Sequence, residues 1–165
     1  MLIFAHLGLT LASARFLGKV DLAFLALGSL LPDIIDKPLG IILFGTPTMG
    51  RTFAHTLLFL SILAALSFYL RDIRLYSLTW GVLAHLVLDQ IWLSPVTLLW
   101  PLLGPFPVAR ELDTLSYLEM LLYRLKNPEV SVPEFLGLAY FIYFIFTRRM
   151  EILAAIRRYL ARPKG

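Results

Sequence analysis

Six side chains able to hold a metal ion recur in three short apolar stretches and at one isolated position. His6 stands near the start; Gly28-Ser-Leu-Leu-Pro-Asp33-Ile-Ile-Asp36 brings two carboxylates; Gly50-Arg51-Thr-Phe-Ala-His55 brings an imidazole beside an arginine; His85-Leu-Val-Leu-Asp89 brings one of each. Imidazoles and carboxylates are costly in hydrocarbon unless they share a partner, and a divalent cation is the partner that would use them all. His85 and Asp89 are four residues apart, so on a helix they point the same way, and Asp33 and Asp36 are three apart beside Pro32. The chain has no cysteine, which leaves nitrogen and oxygen ligands, a donor set suited first to zinc, with manganese or iron(II) as alternatives. His6, Asp33, Asp36, His55, His85 and Asp89 are the candidate metal ligands, for one ion with open positions or for a pair.

Such an ion lowers the pKa of a bound water, so that hydroxide forms near neutral pH. Asp33 or Asp36 would then orient or deprotonate that water, and Arg51 would stabilise charge on a phosphoryl group; these three are the candidate catalytic residues. Each residue also has a plainer role to set beside this one. A lone histidine can be a hydrogen-bonding rivet between helices, Asp33 can end a helix, Asp36 can pair with Lys37 in a wet loop, and Arg51 can snorkel to the interface. Trp80, Trp92 and Trp100 read as packing or interfacial anchors, and Gly8, Gly28 and Gly81 as sites of close helix approach.

The elements that must position these groups follow from composition. Hydrophobic residues make up 59% of the 165 and charged residues 16%, with a mean hydropathy of +0.78, well outside the usual range for a soluble domain. This predicts an all-α, polytopic transmembrane bundle of about five spans with interfacial amphipathic helices, filling one domain, 1–165. Within it, 1–107 forms the core that carries the candidate site, and 108–165 holds a surface helix, the last span and a basic C-terminal helix. Apolar runs between charges place helices at Met1 to Ala14, Leu22 to Pro32, Thr52 to Leu70 and Leu75 to about Trp92. Leu93 to Pro107, with four prolines and Gly104, reads as a broken or re-entrant segment at the interface. Glu111 to Lys126 has leucines at 112, 115, 118, 122 and 125, the spacing of an amphipathic helix on a membrane surface. Phe135 to Thr147 is the last span, and Arg148 to Arg162 a basic helix with Ile152, Leu153, Ile156 and Leu160 on one side. The start lacks a positively charged segment, so no cleavable signal peptide is expected.

Charge orients the bundle. Placing the loops 15–21 and 71–74 and the tail from Arg148 in the cytoplasm puts ten of the fifteen Lys and Arg residues there, against three of the eleven acids. The C-terminus is then cytoplasmic, and all six candidate ligands fall at one depth near the opposite face. Histidines did not enter that count, so their convergence is an independent sign. The basic tail is expected to meet anionic lipid rather than nucleic acid.

The three motifs, with His6, resemble the family of membrane-bound metal-dependent hydrolases that includes YdjM, also described as LexA-binding inner-membrane-associated hydrolases. Gly28 to Pro38, Gly50 to Phe59 and Gly81 to Trp92 carry the resemblance. Many members have Asp-His where this chain has Asp36-Lys37, and His-Arg-Gly where it has Gly50-Arg51-Thr52. The resemblance implies a multi-pass helical protein with a hydrolase-type metal centre. With a site at headgroup depth, the expected activity is metal-dependent hydrolysis of a phosphoester or ester of a lipid or lipid-linked substrate in the cell membrane. Membrane lipids are the expected partners, and a homo-oligomer is compatible with the composition. A carrier using the same cluster for ion translocation, or a scaffold using it only to pack helices, is the alternative.

Overall fold

The computed structural model describes residues 3–44, 50–107 and 114–160. The start expected at Met1, the start of the surface helix at Glu111 and Leu112, and the tail's end at Arg162 lie outside them, as do the side chains of Leu118, Ile152, Leu153, Ile156 and Leu160. Regular structure among the described residues is helical: α1 Ile3–Ser13, α2 Leu22–Phe44, α3 Leu57–Leu70, α4 Ile73–Leu88, the short α5 Pro95–Leu98, α6 Thr114–Arg124 and α7 Pro128–Leu160. Single 3-10 turns at Ala14–Phe16, Phe53–His55 and Ile91–Leu93 link some of them.

Short polar side chains set the helix starts. Asp21 accepts from the amides of Ala23 and Phe24 to open α2, Thr56 accepts from Phe59 to open α3, and Asp72 accepts from Arg74 to open α4. Asn127 accepts from Glu129 across Pro128, the first residue of α7, where a missing N–H costs nothing. Arg71, in the left-handed conformation, closes α3 by donating its amide to the Ser67 carbonyl.

The bundle centres on α2 packed along α4, with α1 and α3 beside them and α7 lying on α1. Gly28 and Gly81 set the α2–α4 crossing: a Cβ on Gly28 would strike the Leu78 backbone, and one on Gly81 the backbones of Leu25 and Gly28. Gly8 and Gly137 play the same part where α1 crosses α7.

Several helix boundaries differ from the sequence expectation: the fourth helix spans Ile73–Leu88 instead of Leu75 to about Trp92, the last starts at Pro128 instead of Phe135, and three further differences bear on the site and the tail. The second helix does not stop at Pro32 but runs through Pro32 and Pro38 to Phe44, so Asp33 and Asp36 lie inside a helix. The third begins at Leu57 instead of Thr52, because the amides of Thr52, Ala54 and His55 are drawn to Asp36. The last span and the basic helix are one 33-residue helix, with no glycine or proline near residue 148 to part them. The leucines expected on one face of α6 are exposed at 115 and 122, so that face lacks a partner within the described chain.

Among the described residues one stretch, Pro128–Glu151, is long and apolar enough to cross a membrane; Ile3–Phe16, Leu57–Leu70 and Ile73–Leu88 are apolar but shorter. Of the five expected spans, one is thus a full-length apolar stretch and three are shorter apolar helices, while α2, 23 residues long and carrying Asp33, Asp36 and Lys37, falls in neither group. The distribution of polarity is inverted relative to a soluble domain. Helix α3 is apolar all round yet has no buried residue, leaving Ile62, Phe68 and Tyr69 exposed, and α7 exposes Phe135 and Phe146. The most deeply buried side chains include His6, His55, His85, Asp36, Thr52 and Ser29. A surface of this kind is suited to lipid and an interior of this kind to a polar site.

Candidate metal centre

Each side chain of the buried cluster is delivered by a different local device. His6 sits in the first turns of α1, whose amino end is fixed from α7: Glu134, itself buried, accepts from the amides of Phe4 and Ala5, both at 2.9 Å. A carboxylate there satisfies amides the helix leaves open and complements its dipole. Glu134 escaped the sequence reading. Its available signal was an acid three residues before Gly137 in an otherwise apolar run, a pair that shares one helix face.

Asp36 organises the segment that bears His55. Its side chain is wholly buried, and it accepts from the amide of Thr52 at 2.7 Å, of Ala54 at 3.0 Å and of His55 at 3.2 Å, and from His55 Nδ1 at 2.7 Å. These donors wrap residues 52–55 around the carboxylate and explain the 3-10 turn at Phe53–His55. Asp36 was expected as a metal ligand or, in the plainer reading, as a loop residue paired with Lys37. The structure gives it another place: both oxygens are engaged by this segment, and Lys37 pairs with Asp33 instead, at 2.7 Å. Asp36 thus orients a ligand candidate from behind. Phe53, the first residue of this turn, packs edge-on against Trp100 and Phe106, centroids 5.2 and 5.1 Å away, so the Pro-rich segment acts as a cover for it. Trp80 donates to the Ser13 hydroxyl at 3.1 Å, tying α4 to α1, while Trp92 is about half exposed.

His85, in the last turn of α4, places Nδ1 2.7 Å from the Ser29 carbonyl on α2. A carbonyl only accepts, so His85 carries its proton on Nδ1; His55 does the same toward the Asp36 carboxylate. In the neutral rings each Nε2 is then a lone pair, and the two face each other at 3.2 Å. Two lone pairs repel at that distance unless a proton or a cation lies between them. Nitrogens bound to one zinc ion at tetrahedral angles stand roughly 3.3 Å apart, given bonds of about 2.0 Å. The separation fits that arrangement.

Carboxylates complete the cluster. Asp89, which closes α4, has one oxygen 3.2 Å from His6 Nε2 and the other 2.7 Å from Arg51 and 3.8 Å from His55 Nε2. Asp33 reaches His55 Nε2 at 3.9 Å. Among the described residues two groups of donor atoms lie close enough to hold a metal, His6–His85–Asp89 and Asp33–His55–His85, in each of which the ligand atoms are within 4.8 Å of one another. His85 belongs to both, and its ring stacks on His6 with centroids 4.1 Å apart. All six sequence-selected residues thus fall in one place, with Arg51 at its edge. The buried His/Asp groups could hold an ion.

No curated protein and no solved structure shows significant similarity to the chain. A family model does match, over residues 1–154, and its description is YdjM inner membrane protein. The match spans the motifs around His6, Asp33, His55 and His85 and continues through α7. This chain belongs to the YdjM family of inner membrane proteins.

Proposed function

We propose that this protein is a membrane-embedded, metal-dependent hydrolase acting on a phosphoester or ester of a lipid or lipid-linked substrate where the membrane meets water. The observation that carries the proposal is the pair of facing Nε2 lone pairs of His55 and His85, each fixed by a partner on its other nitrogen. As rivets between helices these histidines would be poorly arranged, because the second nitrogen of each meets another acceptor. As ligands they are arranged well, with tautomer and ring orientation already set.

A bound divalent ion supplies Lewis acidity to the site, polarising a substrate oxygen and making water a usable nucleophile near neutral pH. The chain's own residues supply the rest. His6, His55, His85 and Asp89 hold the ion, and Asp36 keeps His55 aimed. Asp33 is about a quarter exposed, which leaves it able to meet water at the site and take a proton from it. Arg51, tied to Asp89, stands where charge on a leaving or transferred group would gather. The unburied faces of α3 and α7 lie in lipid, with the shorter apolar helices crossing as a multi-pass bundle and the C-terminus in the cytoplasm, as the charge asymmetry predicts.

Elemental analysis of detergent-purified protein tests this directly. Wild type is expected to carry stoichiometric zinc, manganese or iron that is lost in His55→Ala and Asp89→Ala. Folded wild type without metal, after exposure to each ion, would mean that a shared proton bridges His55 and His85, and the proposal would be wrong.

A further inference from the structure

The two carboxylates that leave the buried cluster behave alike. Asp33 turns one oxygen toward His55 and the other to Lys37 at 2.7 Å; Asp89 turns one toward His6 and the other to Arg51, also at 2.7 Å. The histidines behind them are buried, whereas the Lys37 and Arg51 side chains are 46% and 41% exposed. Two cations from different parts of the chain, one on α2 and one just before the 3-10 turn, therefore stand outermost on the cluster. A molecule arriving from water or from the headgroup layer meets them first.

We propose that Lys37 and Arg51 form a two-cation clamp for a phosphoryl anion, which makes the substrate of this site a phosphoester and not a neutral ester or amide. This rests on the metal-dependent reading above and narrows it. Charge balance is the argument. Among the described side chains of the cluster, three carboxylates oppose two cations. Each divalent ion bound there adds two positive charges, so a single ion already makes the cations outweigh the carboxylates. A loaded site of that sign, walled by apolar helices, favours an anionic ligand, and a phosphodiester or phosphomonoester carries the one or two negative charges that match.

The cations are also free to change partner. An ion pair this exposed adds little stability, and a carboxylate that donates to a metal, as Asp89 would, or stands beside one, as Asp33 would, holds a neighbouring cation less strongly. Arg51 offers a planar fork suited to two phosphoryl oxygens, and Lys37 a flexible point charge from the opposite carboxylate. Metal loading thereby turns both side chains from internal partners into ligand-binding groups, and the clamp is predicted to work only in the loaded protein.

The test measures metal content and phosphate binding separately on wild type, Lys37→Gln, Arg51→Gln and the double variant. Inorganic phosphate is titrated by calorimetry into zinc-loaded and chelator-treated protein. Nanodiscs of phosphatidylcholine with or without phosphatidic acid serve as the lipid probe. The expected result is phosphate binding by loaded wild type, weakened about 10-fold in each single variant and about 100-fold in the double, with metal stoichiometry unchanged. Preference for phosphatidic acid discs identifies a lipid headgroup as the source of the anion, and preference for free phosphate identifies a soluble one. Full metal content with equal phosphate affinity in all four proteins would overturn the clamp while leaving the metal site standing. Wild type without metal would overturn the reading beneath it.

Discussion

Helices α2 and α7 look alike in sequence and differ in what they bury. They have 23 and 33 residues, both contain internal proline, and both are largely apolar. Helix α2 buries Ser29, Pro32 and Asp36 against α4 and the 52–55 segment, so nearly every polar atom behind the cluster depends on it. Helix α7 buries, among its described side chains, only Glu134 and Gly137, both against α1. The cluster is thus built by the α2–α4 pair, and α7 touches it only through the start of the helix that carries His6. Damage should be severe on the first side and graded on the second.

The largest effect is expected at His85, the one side chain common to both ligand groups. His85→Ala should abolish metal binding altogether, read by elemental analysis. His6→Ala belongs to one group only: it should halve the metal content if the protein holds two ions, and retention of a full complement would remove His6 from the ligand set. The next largest belongs to Asp36. Asp36→Ala leaves three buried amides and an imidazole without their acceptor and should destabilise the fold by about 3–5 kcal/mol, seen as a lower thermal midpoint in detergent. Asp36→Asn keeps the shape but weakens the hold on His55, and should lower metal affinity by roughly 10- to 100-fold in a folded protein. An Asp36→Asn protein that bound metal as wild type does would show that α2 supports the fold and not the site.

These two residues also show what the sequence could disclose. His85 was legible because an ionisable group inside an apolar run is conspicuous and its partner Asp89 lies one helical turn away. The convergence of all six residues was expected from setting apolar helices between charged loops, an arrangement that puts the six at one depth. The role of Asp36 was not. Spacing of three from Asp33 says that two carboxylates share a helix face, but which donors reach each oxygen depends on how residues 52–55 fold, and that segment folds as it does because Asp36 is there. The continuation of α2 past Pro32 was hidden for a related reason: local rules disfavour proline within a helix, and tertiary packing on α4 overrides them. Glu134 was hidden because its partners are backbone amides 130 and 129 residues away, which leave no mark in composition.

On the α7 side the expected effects shrink. Glu134→Gln removes the charge from an acceptor of two amides and should lower stability by about 1–2 kcal/mol. Because Glu134 acts on the cluster only through α1, the same variant should reduce metal affinity a few-fold by displacing His6, and combining it with His6→Ala should add almost nothing to the loss. Additive losses in that cycle would mean that α7 supports the site by a route other than the start of α1.

The smallest effect should come from the surface assigned to lipid. Phe68 on α3 is 84% exposed, the sort of residue whose truncation in water-soluble proteins is close to neutral because nothing packs on it. Phe68→Ala should change the thermal midpoint and the metal content very little, within about 0.5 kcal/mol in terms of stability. Ile62→Asp, near the middle of α3 and half exposed, separates lipid from water as the neighbour. A charge in hydrocarbon is costly by roughly 2.5–3.5 kcal/mol at the centre of a span, so insertion into membranes should fall sharply; a charge facing water costs almost nothing. If Ile62→Asp inserts as wild type does, α3 does not face lipid, and the inverted polarity of this bundle would need a protein partner to explain it.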